Sequence, residues 1–507
     1  MSVKMKKPEK AAKPQAQESV KKEDQGAVKQ KKTPSLLRGF RDVLPDEQKY
    51  WEFLREKATQ LRRDYGFGRI DLPILEPTDL FVRAVGKQTD IVEKEMFSFV
   101  DMGEDRVTLR PEATASIARA YIAHGMVNRP QPVKLFYEGP MFRYDRPQSG
   151  RFRQFNQIGF EILGTDDPVA DAQLMSIAHY FFKSIGLDVI MQVNSIGTAQ
   201  TRQEYTVDLV AHYRSRRSEI CEDCKRRLQR NPLRVLDCKN ETCQAVKADA
   251  PQIVDWLDDE SKEHFMKVLE FLDEAGVTYT LNPHLVRGLD YYTRTVFEIV
   301  LAVESVSDSQ SAPLETQGAP SVAQSAPMAT QSALGGGGRY DKLVEILGGR
   351  DTPACGFAIG LERVVNALKE KNIQVPSESE PKVFFAQLGD AARRKGFMLY
   401  EELRRAGIPV AESFGKAALK GQMENANKLA VAYTLILGQK EVMDGTIIVR
   451  DMDSGSQELV DVKKIIPFLQ KKLAETSALG ITIKSNQKDE SEPADPDPAL
   501  TERLDDV

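Results

Sequence analysis

The stretch YEGPMFRYDRPQSGRFRQFNQIGFEILG, Tyr137 to Gly164, divides into strand, loop and strand. The first run ends on Arg143, and a polar loop with Pro147 and Gly150 turns the chain. The return run alternates: Gln157, Gly159 and Glu161 share one face, while Ile158, Phe160 and Ile162 share the other. One hairpin thus offers a guanidinium, an arginine-rich loop (Arg146, Arg151, Arg153), and an amide beside a carboxylate on a floor. Such a surface suits an anionic phosphate next to a small polar ligand. The plainer alternative is a solvated hairpin with its charges turned outward.

The wording of the stretch goes further than its pattern. It closely resembles motif 2 of class II aminoacyl-tRNA synthetases, in the form found in histidyl-tRNA synthetases. Other strings support the same resemblance. Leu285-Val-Arg-Gly-Leu-Asp-Tyr-Tyr-Thr-Arg-Thr-Val-Phe-Glu298 matches a signature of that family almost letter for letter. Leu334-Gly-Gly-Gly-Gly-Arg-Tyr-Asp341 is similar to its second signature. This run has neither of the usual nucleotide-loop spacings, so its glycines read instead as allowing close backbone approach. Cys355-Gly-Phe-Ala-Ile-Gly-Leu-Glu-Arg363 resembles motif 3, whose arginine holds ATP in that family.

Upstream, a helix is expected after Pro45, with Trp51, Leu54, Ala58 and Leu61 on one stripe and Gly66 and Gly68 ending it. Arg69 to Glu76 reads as extended. Pro73 would cost a ladder hydrogen bond there, which argues for an edge or interface strand. Helix, strand and proline resemble motif 1, which builds the dimer interface in class II enzymes. Leu109-Arg-Pro-Glu-Ala-Thr114 then leads into a helical pattern. Glu112 and Thr114 are ordinary helix-start residues. In histidyl-tRNA synthetases the matching residues hold the histidine amino group, with Gly where this chain has Ala113. An added methyl is tolerable there unless φ must be positive.

Residues 201–283 change character, being helical, highly charged and carrying four of the five cysteines. Cys221 and Cys224 form a CxxC, followed by Cys238 and Cys243. That pattern fits a tetrahedral thiolate Zn²⁺ site better than disulfides, with four unliganded thiols as the alternative. The segment, including Asn231-Pro-Leu-Arg-Val-Leu-Asp237, resembles the inserted domain of bacterial histidyl-tRNA synthetases. Past a Pro/Ser/Glu linker, residues 382–473 alternate strand and helix, indicating a small α/β domain. There Lys416, Lys420, Gln422, Ala426, Gly438, Glu441 and Gln457 sit where a class IIa anticodon-binding domain would have similar residues.

Composition bounds the rest. The 507 residues are 29% charged and 41% hydrophobic, ordinary for two or three globular domains. No apolar run approaches the ~18 residues of a membrane span, and no signal peptide is evident, so a cytoplasmic protein is expected. With a net charge of −5, nucleic-acid binding must come from local patches. Residues 1–38 hold eleven Lys and Arg against four Asp and Glu, whereas residues 486–507 hold two against eight. Both tails read as disordered, and residues 302–333, rich in Ser, Ala, Gln and Pro, as a low-complexity surface loop.

The expected fold is α+β: a class II antiparallel sheet flanked by helices, a helical insertion, and a C-terminal α/β anticodon-binding domain. The expected boundaries are a basic extension (1–37), catalytic segments (38–200 and 284–372), the inserted domain (201–283), the anticodon-binding domain (382–473) and an acidic tail (474–507). The resemblance implies a homodimeric ligase that activates L-histidine with ATP and Mg²⁺ and transfers it to the 3′ end of tRNA(His). It assigns Arg143, Arg287 and Arg363 to catalysis, and Arg143, Asp145, Arg151 and Arg363 to ATP. Histidine would be held by Glu112, Ala113, Thr114, Gln157, Glu161, Arg287, Tyr291 and Tyr292. Gln148, Arg151 and Arg153 would meet the tRNA acceptor end. Two other readings compete. A regulatory paralogue of histidine biosynthesis binds histidine without charging tRNA, but it lacks an anticodon domain and loses catalytic residues, whereas this chain has Arg287 and residues 382–473. Another class IIa ligase is disfavoured by the 285–298 string.

Overall fold

A computed structural model describes residues 34–146, 150–302, 333–376, 381–413 and 418–478. The two tails, most of the 302–333 insert, Gln148 and Lys416 lie outside these residues. The chain forms two compact units, one of Met1–Val43 with Gln60–Ala367 and the other of Leu44–Thr59 with Leu368–Val507. The unit boundary thus falls within the helix Leu361–Glu370, ahead of the linker where composition changes, and Leu44–Thr59 joins the second unit.

The first unit is built on an eight-stranded sheet. In spatial order its strands are Gly68–Arg69, Val133–Phe142, Gln154–Leu163, Ala354–Gly360, Gly335–Arg339, Thr293–Leu301, Val189–Ser195 and Tyr279–Leu281. The six inner strands pair antiparallel, and the two short edge strands pair parallel to their neighbours. The motif 2 hairpin pairs Tyr137 with Gly159 and Gly139 with Gln157, so the expected alternation is present. On its far face Phe160 stacks on Phe357 with ring centroids 5.3 Å apart and meets Phe136 and Phe67 edge-on. These rings are buried and join the central strands to the segment that follows the first helix.

The extended run expected over Arg69–Glu76 is instead two short strands, Gly68–Arg69 and Leu75–Pro77, parted at Pro73. Buried Arg110 accounts for the break. Its guanidinium donates to the carbonyls of Leu72 (2.8 Å) and Pro140 (2.9 Å), capturing backbone that a continuous ladder would have used. Leu75–Pro77 then joins Arg106–Leu109 and Phe97–Val100 in a separate three-stranded ribbon.

The insertion is helical from Ala199 to Trp256, but the chain returns to the catalytic sheet before residue 283. Helix Asp259–Glu274 lies against helix Pro168–Ser184, and strand Tyr279–Leu281 closes the sheet edge beside Val189–Ser195. Nor does the insertion have a core of its own. Cys224, Val235, Cys243 and Val246 belong to the same apolar cluster as Val286, Tyr291 and Ile117. It is fused to the catalytic sheet through shared burial.

In the second unit the strand order is Val410–Glu412, Val383–Gln387, Tyr433–Leu437, Thr446–Asp451, Gln457–Asp461, parallel over the first two pairings and antiparallel over the last two. The last strand was not foreseen. It is an exposed edge whose polar sequence gives no buried face to read. Gln422, one of the residues matched to the anticodon domain, is buried and bonds both ways to the backbone of Gln387. Glu441, another, accepts from the Gly438 N–H at the start of its own helix. Both side chains are committed to the fold.

Candidate active site

A cavity of about 370 Å³ opens over the motif 2 floor. Of the five arginines that line it among the described residues, Arg143, Arg287 and Arg363 come from separate signature strings of the sequence. Arg143, at the end of the first hairpin strand, is aimed by a bond from its Nε to the Pro111 carbonyl (2.8 Å) and lies over the Phe155 ring. Arg363 enters from the first turns of helix Leu361–Glu370 and donates to the Ala333 carbonyl. Burial depresses its pKa, and the neighbouring charges of Arg151 and Arg143 depress it further. Glu298 and Asp145 offset this positive charge only in part, so an anion is the ligand that would relieve the remainder.

Arg287 is held differently. It forms an ion pair with Glu298, and although burial opposes its charge, this partner leaves its pKa above the ordinary guanidinium value. The guanidinium rests over Gly336. A Cβ there would stand 2.8 Å from Arg287 Nη1 and 2.6 Å from the Phe297 carbonyl. That is the close approach expected of the glycine run. The Arg287 Nε is buried without a hydrogen-bond partner among the described residues, a donor left for a ligand.

The inner end of the cavity is set by helix Thr114–Ala123. Both oxygens of buried Glu112 accept backbone N–H bonds from its first turn, from Thr114 (2.7 Å) and Ala115 (2.9 Å). Burial raises the Glu112 pKa against those bonds. Ala113 has φ −103°, so its methyl introduces no backbone strain. Ala113 and Glu161, both expected at the histidine site, are buried and lie outside the cavity wall, and Glu161 sits behind Thr114. Glu161 accepts from Thr114 Oγ1 (2.9 Å) and from the Tyr340 hydroxyl (2.5 Å). Burial pushes its pKa up to about 8 in spite of both donors. It fits because Gly356 stands opposite it in register, where a Cβ would overlap its carboxylate. The Tyr137 phenol lies across Gly159 in the same way. Gln157, Tyr291 and Tyr292 line the wall, with Tyr291 OH reaching Glu112 Oε2 at 3.4 Å.

Two loop residues differ from expectation in their surroundings. Arg151, in the cavity wall, is paired with Asp145 at 3.1 Å. Arg153 is not in the wall. Its guanidinium stacks 3.6 Å from the Tyr144 ring centroid and donates to the Arg38 carbonyl, tasks that tie the hairpin to the residues before the first helix. Tyr340, Glu298, Asp90, Arg234 and Asp237 were not singled out from the sequence. The first two sit inside the quoted signatures, and Arg234 and Asp237 inside the Asn231–Asp237 run, whereas Asp90 carried no signal at all.

Away from the floor, the sulfurs of Cys221, Cys224, Cys238 and Cys243 all lie within 4.8 Å of one another, while Cys355 is a separate buried thiol.

Comparison with known proteins agrees with this architecture. The family described as histidyl-tRNA synthetase matches residues 39–308, and an anticodon binding domain matches residues 382–472. A histidine–tRNA ligase from Pelotomaculum thermopropionicum is 43% identical over 437 residues, covering 86% of this chain and 97% of the relative. One from Desulforamulus reducens is 42% identical, covering 85% and 98%. The crystal structure of apo histidyl-tRNA synthetase from S. aureus superposes with a TM-score of 0.68 at 34% identity, covering 86% of this chain and 99% of that one.

Proposed function

The chain belongs to the histidyl-tRNA synthetase family, and we propose that it joins L-histidine to tRNA(His) in two steps at the cavity described above. The observation that carries the reading is the convergence of Arg143, Arg287 and Arg363 on one cavity whose inner end is polar and buried. In the first step the histidine carboxylate attacks the α-phosphorus of ATP. A new O–P bond forms, the bond to the β-phosphate oxygen breaks, and diphosphate leaves. Two anions must be brought in line and the added charge neutralised. Arg143 and Arg287 clamp the carboxylate and α-phosphate, and Arg363, with Arg151 and Asp145, holds the rest of the nucleotide.

The histidine ammonium group is placed by Glu112, Thr114 and Gln157, with Ala113 at the helix start. The imidazole lies toward Tyr292, Tyr291 and Glu161, where Tyr340 and Thr114 fix the carboxylate. A site built from hydrogen bonds rejects analogues that lack them. Mg²⁺ bound with ATP would neutralise its outer phosphates; of the carboxylates lining the cavity, Glu298 is already paired with Arg287 and Glu362 with Asn156.

In the second step the histidyl group passes to the tRNA 3′ end and AMP is released. Gln148 and Arg151 are assigned to the acceptor end and residues 382–473 to the anticodon. Arg153, engaged by Tyr144, supports the loop. The active species is a cytoplasmic homodimer. No described helix is long and apolar enough to cross a membrane. Leu75 and Phe99 are exposed on one face of the three-stranded ribbon, a suitable surface for a second copy. The four thiols bind one structural Zn²⁺ and take no part in the chemistry.

Charging of tRNA(His) with labelled histidine tests the whole reading. Attachment of histidine supports it, and histidine binding with no charging would instead fit the regulatory paralogue.

A further inference from the structure

The four-cysteine cluster sits at the end of a short lever that reaches the active-site wall. The Cys221 and Cys238 sulfurs are 3.8 Å apart, and those of Cys224 and Cys243 are 3.9 Å apart. Four thiolates bound tetrahedrally at about 2.3 Å would be separated by about 3.8 Å, so the spacing suits a zinc ion and is far too long for disulfides. Backbone N–H groups point at three of the sulfurs: Cys221 N at Cys243, Cys224 N at Cys221 and Asn240 N at Cys238. Such bonds stabilise bound thiolates.

Cys238 directly ends the 3₁₀ helix Pro232–Asp237, bonding back to the Val235 carbonyl (3.2 Å). From that helix Arg234 reaches into the cavity wall. Its guanidinium pairs with Asp90 (3.3 Å) and Asp237 (3.1 Å). It lies against Gly288, where a Cβ would stand 2.6 Å from Arg234 Nη1. Gly288 is the neighbour of Arg287. Asn231, at the start of the same helix, bonds Asp290 at 3.1 Å. The segment 231–237 therefore braces the Arg287 loop from behind, and the cluster fixes one end of the brace.

We infer that Arg234 is a positioning residue for adenylate formation, and that Zn²⁺ on the four thiolates holds it against Gly288 so that Arg287 is set over Gly336. This rests on the reading of the cluster as a zinc site and of Arg287 as a clamp on the reacting anions. Binding energy invested in the metal is thereby converted into orientation at a distant guanidinium.

The experiment uses the full-length chain and measures zinc content by elemental analysis alongside histidine-dependent ATP–diphosphate exchange. Wild type should carry one zinc per chain. Arg234→Ala should keep that zinc and its unfolding midpoint, yet lose roughly ten- to a hundredfold in kcat with little change in KM, the scale for a misplaced catalytic group. Arg234→Lys should recover part of the loss. Cys238→Ser should lose zinc and show the same kcat defect. Zinc-free wild type with full activity would overturn the metal reading and the inference with it. Zinc-loaded Arg234→Ala with unchanged kcat would overturn the inference alone. A defect in KM only would show that Arg234 binds substrate directly and does not act through Arg287.

Discussion

Arg287 is fixed by its ion pair with Glu298 and by close approach to the bare backbone of Gly336, the residue that pairs with Glu298 across the sheet. A charge held this rigidly needs little reorganisation when negative charge develops above it. Arg287→Ala is therefore expected to abolish adenylate formation while the protein stays folded, a rise of ~3 kcal/mol or more in the barrier. Glu298→Gln, which loosens the guanidinium without removing it, should cost less. Diphosphate exchange measured on both variants checks this. Near-normal exchange in Arg287→Ala would remove the residue from the chemistry.

Glu161 gives the unliganded protein a pH signature. Burial places its carboxyl at about 8, well above the ordinary value, with Tyr340 and Thr114 donating to it and Glu112 adding like charge. A folded-state pKa above the unfolded one means that the folded state holds the extra proton. The stability this gives is complete below the unfolded carboxylate pKa and is lost as pH rises through about 8. Its slope is at most about 1.4 kcal/mol per pH unit. The neutral Glu161→Gln should lack that slope, so the melting temperature of wild type should fall relative to the variant between pH 5 and 8.5. Parallel curves would contradict the assignment.

The Arg339–Asp171 pair is a stability element behind the site. Both side chains are buried, Arg339 Nε donates to Asp171 Oδ2 at 3.0 Å, and Arg339 also binds the Thr165 carbonyl. Asp171→Asn removes one of the two carboxylates paired with the buried guanidinium, leaving Asp341 at 3.1 Å, and should cost up to about 3–5 kcal/mol. The double variant Arg339→Met with Asp171→Leu should recover part of that, because the fully buried ion pair is gone while Asp341 and His264 each lose a partner. Urea midpoints for the three proteins decide it. Equal destabilisation in the single and double variants would show that shape rather than charge is at stake.

The hairpin was legible because a period of two survives in Gln157, Gly159 and Glu161 wherever one face is buried. The arginines were legible because each sits in a distinctive string. Partnerships were not. Nothing in the sequence joins Glu161 to Tyr340, 179 residues later, since only strand order brings them together. The split at Pro73 depended on where Arg110 would point, and the shared core of the insertion depended on tertiary packing. The exposed strand Gln457–Asp461 left no hydrophobic pattern to detect.

The central claim is that this cavity activates histidine. The most direct measurement is ATP–diphosphate exchange on the purified chain with each of the twenty amino acids in turn. Exchange is expected with histidine alone, dependent on Mg²⁺ and lost in Arg287→Ala. Exchange with another amino acid, or none with histidine under conditions where the chain is folded, would contradict it.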